Sequence, residues 1–141
     1  MGMYTGLRFQ GVVREKFRKD FDKVVIMGRW DLLEDPLLRE FGDQDRAGFI
    51  PHGILAYMPD SWEDEHRIVN CWDENTGCWQ FQCSLKNYNF TIEEFIDLLP
   101  YLCEYVHLCE TMYEEDEYST LWKMKDNQMY IACKNFRKYA P

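Results

Sequence analysis

Ile68-Val69-Asn70-Cys71-Trp72-Asp73-Glu74-Asn75-Thr76-Gly77-Cys78-Trp79-Gln80-Phe81-Gln82-Cys83-Ser84-Leu85 decides the fold. Two runs of β-branched and aromatic residues flank Asn75-Thr76-Gly77, and a glycine able to adopt positive φ closes a short hairpin loop. With a three-residue loop, Glu74 faces Cys78, Trp72 pairs with Gln80 and Asn70 with Gln82. Side chains alternate across a strand, so Val69, Cys71, Trp79, Phe81, Cys83 and Leu85 fall on a core face. Ile68, Asn70, Trp72, Gln80, Gln82 and Ser84 fall on the other.

A second hairpin turns at Asp126-Asn127. It places Thr120, Trp122, Met124, Met129, Ile131 and Cys133 on one face, opposite Lys123, Lys125, Gln128, Tyr130 and Lys134. Between the hairpins lies an amphipathic helix with a capping box at Thr91 and Glu94. Its apolar stripe runs through Ile92, Phe95, Ile96, Leu99, Cys103 and Val106. Pro100 predicts a kink near Leu99, with helix resuming toward Glu114.

Upstream, residues 4–13 read as a strand and residues 14–27 as a helix carrying Phe17, Phe21, Val24 and Val25, stopped by Gly28. Asp35-Pro36 opens a short helix through Leu37, Leu38 and Phe41. Residues 49–58 read as a further strand, held to an edge by Pro51, and residues 59–66 as a polar loop. The expected fold is α+β over residues 1–141 as a single domain. It is a mostly antiparallel sheet of five to six strands with two main helices packed on one face.

The net charge of −9 is unevenly spread: residues 1–30 carry +4, residues 31–66 carry −8, residues 91–117 carry −9 and residues 118–141 carry +4. Acidic blocks repel phosphate backbones and attract basic protein surfaces, so direct nucleic-acid binding is not expected. No apolar run reaches the ~20 residues of a membrane span. No secretory leader is visible, and the six cysteines lie in apolar stretches, which predicts reduced thiols in a cytoplasmic protein. The Met1-Gly2 pair resembles a cloning remnant, so Met3 is expected as the natural start.

Signatures of common enzyme classes are missing: no glycine-rich phosphate loop, nucleophile elbow, His-Glu-x-x-His or Cys-x-x-Cys occurs. His52, His66 and His107 are far apart. Cys71, Cys78 and Cys83 with His66 have zinc-ligand chemistry, but bulky apolar neighbours favour core packing. No metal and no cofactor are expected.

A tryptophan among amides suits a partner-binding face, which assigns Trp72, Asn70, Gln80 and Gln82 to an interface together with the acids Asp64, Glu65, Glu114, Glu115, Asp116 and Glu117. The expected partner is a protein with a basic surface. In general type this profile resembles small non-enzymatic inhibitors, such as phage- or mobile-element-encoded anti-defence (anti-CRISPR-like) and immunity-type antagonists. One alternative is a sponge sequestering a small phosphorylated, nucleotide-type signal on Arg8, Arg14, Arg18, Lys134 and Arg137. Another is an enzyme lacking a recognisable motif. An open strand edge or an exposed Trp72 face would support a homodimer.

Overall fold

The computed structural model describes residues 3–65 and 67–139. Six strands form one antiparallel sheet: β1 (Tyr4–Val13), β2 (Cys71–Trp72), β3 (Cys78–Lys86), β4 (Cys103–Tyr113), β5 (Thr120–Lys125) and β6 (Gln128–Cys133). Their order across the sheet is β2-β3-β1-β4-β5-β6. The helices are α1 (Glu15–Arg18), α2 (Asp22–Met27), α3 (Pro36–Phe41), α4 (Phe49–His52) and α5 (Thr91–Leu102). The fold is α+β. Its first four strands and their helical crossovers follow β-α-β-β-α-β order with β1 between β3 and β4, the split βαβ arrangement, and the β5–β6 hairpin widens it.

Helices cover one face of the sheet. Leu7, Phe9, Trp79, Phe81, Cys83 and Leu85 from the strands meet Phe17, Val24, Leu38, Phe41, Ile50, Phe95, Ile96 and Leu99, all buried. Aromatic rings form the centre: Trp79 lies 4.7 Å from Phe81 and 4.9 Å from Phe21 between ring centroids, and Trp30 lies 4.9 Å from Phe41. The Trp30 indole N–H donates to the Ile50 carbonyl at 2.9 Å, so its one polar group is satisfied.

The opposite face is covered over one part by the segment after α4 and by Tyr139. Trp62, Met112 and Tyr139 form a second, smaller cluster there, with Leu55 and Met58 packed on it. Trp62 packs on β1 at Gly6, where a Cβ would stand 2.8 Å from the indole ring. Among the described residues, no helix is long and apolar enough to cross a membrane.

Several expectations need correction. The first hairpin is one residue out of register: the structure pairs Cys71 with Gln80 and Trp72 with Trp79. Asp73 explains it. Its carboxylate accepts from Asn75 N–H at 2.9 Å and its carbonyl from Gly77 N–H at 2.7 Å, closing a four-residue loop, Glu74 to Gly77. A one-residue slip moves every β2 side chain to the other face. Trp72 therefore packs on the core, 5.1 Å from the Phe21 ring, Ile68 is buried, and Val69 and Cys71 are exposed.

Residues 49–58 form no strand. Phe49–His52 makes a tight, irregular turn in which Ile50 and Pro51 have non-helical backbone angles and Ile50–Pro51 is cis, and the chain then wraps onto the second face. The expected helix over 14–27 is two short ones, α1 and α2. Helix α5 keeps Pro100 within its last turn, and residues 103–113 continue as strand β4, not as helix. Arg14 secures that switch, donating from Nε to the Tyr101 carbonyl and from Nη2 to the Pro100 carbonyl, while its backbone N–H takes the Leu102 carbonyl. The expected capping box is also replaced: the Asn87 side-chain oxygen accepts the Ile92 N–H at 2.7 Å, and Thr91 donates its hydroxyl to the Tyr88 carbonyl.

Candidate functional site

The acidic residues 114–117 follow directly from β4. Glu114 is fastened to β1 twice, its N–H donating to the Tyr4 carbonyl at 3.0 Å and its carboxylate accepting the Tyr4 N–H. Asp116 N–H donates to the Tyr113 carbonyl at 3.0 Å, closing a turn. The chain's end then braces the far side, with Tyr139 N–H donating to the Glu117 carbonyl and Tyr118 bridging Lys138. Four consecutive acids are thereby held on a fixed turn.

Beneath that turn lies a buried polar network. Glu110 is fully buried and accepts from Arg8 Nη1 at 3.3 Å, from the Ser119 hydroxyl at 2.6 Å and from the Tyr139 hydroxyl at 2.6 Å. The Arg8 guanidinium lies 4.9 Å from the Trp62 ring centre. Desolvation and then the hydrogen bond to Glu110 push the Tyr139 phenol above its ordinary value. The network ties β1, β4 and the C-terminal segment together under the acidic turn.

Two grooves flank the turn. One, with a cavity of about 490 Å³, is lined by Tyr57, Met58, Pro59 and Met112 together with Glu114, Glu115, Asp116, Glu117, Lys138 and Tyr139. Tyr57 is 73% exposed and packs its ring, tilted by 43°, against Tyr4 at 5.3 Å between centroids. The other, about 440 Å³, lies toward the helical side, between the start of α5 and the sheet, with Tyr88, Phe90, Tyr113 and Trp122 on its walls. Asp116 borders both. Tyr113 is raised by loss of solvent and then by Glu115, Glu114 and Asp116, so the negative field reaches this rim.

The residues expected on a partner-binding face separate. Glu114, Glu115, Asp116 and Glu117 stand together. Asp64 and Glu65 are exposed in the turn after Trp62 and line neither groove. Trp72 is half-buried, with its ring packed against the core. Asn70, Gln80 and Gln82 staple the preceding segment to the sheet: Gln82 donates its side-chain amide to the Trp62 carbonyl at 2.7 Å, Gln80 its own to the Val69 carbonyl at 2.8 Å, and the Asn70 side-chain oxygen accepts the Gln82 backbone N–H.

The cations proposed for a phosphate pocket do not converge. Arg8 is buried against Glu110, Arg14 is spent on the end of α5, and Arg18 bonds the Val13 and Asn75 carbonyls and Glu104. Arg137 lies over Phe136, and Lys134 is exposed beyond β6. His52 contacts the Val24 carbonyl, His107 stands beside Tyr105 on β4, and His66 lies outside the described residues. All six cysteines are free, and burial pushes the thiols of Cys83, Cys103 and Cys109 far above the usual range.

Sequence reading missed Tyr57, Met58, Tyr88, Phe90 and Tyr113. A signal was present for some of them: two aromatics and two asparagines at 87–90 precede a helix start, where a polar cap alone would suffice.

No protein-family profile matches the chain, and no solved structure matches it. A segment of 71 residues is 34% identical to tyrosine-protein phosphatase 1 of Schizosaccharomyces pombe, covering 50% of this chain and 13% of that protein.

Proposed function

We propose that this chain is a non-catalytic binding protein that engages a basic protein surface through the acidic turn Glu114–Glu117 and the groove it borders. One observation carries the reading: four carboxylates on a braced turn share a groove with the exposed ring of Tyr57 and the side chain of Met58, opposed by the single ammonium of Lys138. Aromatic and methionine surface supplies contact area, and the carboxylates supply orientation and rate of encounter. Inhibition of a basic target, in the manner of anti-defence and immunity-type antagonists, is the activity such a surface serves.

The similarity to a tyrosine phosphatase spans too little of that protein to bring its activity here.

The test is affinity capture from the native host with wild type and with a Glu115→Gln, Asp116→Asn, Glu117→Gln variant, sparing Glu114 because it anchors Tyr4. A stoichiometric partner should bind at about 50 mM salt, weaken steeply toward about 500 mM, and be lost by the variant. A partner held equally by both proteins, or none at all, would overturn the reading.

A further inference from the structure

We infer that the second groove, between the start of α5 and the outer strands, is a receptor for one cationic side chain, a guanidinium or ammonium, presented by the basic partner. The inference rests on the binding reading above and names the anchor it needs.

The walls are aromatic. Tyr88 and Phe90 come from the segment before α5, Tyr113 from the end of β4 and Trp122 from β5. Phe90 is 70% exposed, Tyr88 43% and Tyr113 38%, so large ring surface is open toward solvent. Glu93 and Asp116 are the charged groups that line this groove, and both are acids. Rings carry negative π faces that attract cations, and a carboxylate beside them reinforces the preference while disfavouring anions.

Each wall is positioned by the fold. The Trp122 indole N–H donates to the Thr111 hydroxyl at 3.0 Å, which fixes its ring against the sheet. Asn87 donates to Glu93 at 2.6 Å and thereby holds that carboxylate at the rim. Asn89 and Phe90 both have positive φ, 57° and 58°, a conformation that a bulky residue adopts only when its surroundings impose it. Here the Asn89 amide donates to Asp45 at 3.0 Å, and Thr91 bonds the Asp45 carbonyl. Cation–ring contact already occurs at this wall, since Arg46 places its guanidinium 4.7 Å from the Tyr88 ring centre.

The probe is a capped pentapeptide, glycine with a central arginine, titrated while following the Trp122 indole N–H and Ile131 methyl resonances. Its control is the same peptide with citrulline, which keeps the shape and removes the charge. The arginine peptide should shift both signals saturably, and the citrulline peptide should leave them in place. Phe90→Ala and Asp116→Asn, both at exposed positions, should each weaken binding by about tenfold, and Phe90→Tyr should restore it. Equal response to citrulline, or full binding by Phe90→Ala, would overturn the inference. The two readings fail separately. A basic partner lost by the acidic-turn variant yet indifferent to Phe90→Ala removes the receptor alone. Saturable arginine binding without any salt-sensitive partner removes the binding function alone.

Discussion

At the scale of single residues, Glu110 is the position where polarity and burial conflict most. Its carboxylate answers three donors, from Arg8, Ser119 and Tyr139, with no solvent to replace them. Glu110→Ala should destabilise the protein by about 3–5 kcal/mol, because it leaves a buried guanidinium unpaired. Replacing the ion pair as a unit, as in Arg8→Met with Glu110→Leu, should cost less, the remaining cost being that the Ser119 and Tyr139 hydroxyls lose Glu110 as acceptor, and urea denaturation midpoints compare the two. The buried ionisable groups also set the alkaline limit. Cys83, Cys103, Cys109 and Tyr139 all have raised folded-state values, with burial the largest cause in each. The unfolded chain releases these protons first, so stability should hold up to about pH 8 and fall as pH rises past the ordinary thiol and phenol values. The same burial predicts that Ellman's reagent titrates Cys71 and Cys78 quickly in the native protein, and Cys83, Cys103 and Cys109 only after unfolding.

At the scale of elements, local chemistry and tertiary packing decided different parts of the fold. Strand β1, the Asp35-capped α3 and the Asp126-Asn127 turn could be read directly, because each is governed by residues adjacent in sequence. Asp35 accepts from Leu37 and Leu38 N–H at 3.0 and 3.1 Å, and Asp126 and Asn127 both take positive φ, as a two-residue hairpin requires. Strand β4 could not be read. Cys103 and Val106 extend the helical stripe of α5, and register shifts at Gln10/Gly11 and Val12/Val13 against β1 blur its alternation. What ends the helix is Arg14, about ninety residues away in sequence. The acidic turn of the candidate site was legible as composition, whereas its aromatic walls were not, since Tyr57, Tyr88 and Tyr113 come from three separate segments. Turn chemistry supplies the element-level predictions. Gly77 has φ of 77°, and a Cβ there would collide with the Val13 carbonyl and the Arg18 guanidinium. Gly77→Ala should therefore destabilise by more than about 1 kcal/mol. Asn127→Gly should stabilise the second hairpin by a few tenths of a kcal/mol, about 0.5, and both are read from thermal midpoints.

At the scale of the whole molecule, exposed charges of opposite sign cluster in different segments. The acidic turn borders two grooves, while Lys123 and Lys125 stand exposed on β5 and Lys134 just beyond β6, whose outer edge has no strand partner among the described residues. The attraction proposed for a basic partner would act equally on the basic hairpin of other copies of the same chain. That contact joins two different patches, so it does not close into a symmetric pair, and only surface Coulomb attraction holds it. Such attraction is screened beyond about 10 Å at 0.1 M salt. Sedimentation velocity should therefore find a monomer at about 150 mM salt and concentration-dependent, open-ended association near about 10 mM. The Glu115→Gln, Asp116→Asn, Glu117→Gln variant should abolish that association. A discrete dimer persisting at high salt would instead point to the β6 edge, where backbone pairing is insensitive to charge. The salt dependence thus separates the two surfaces, and it also sets the condition for partner capture: enough ions to suppress self-contact, too few to screen four carboxylates on a rigid turn.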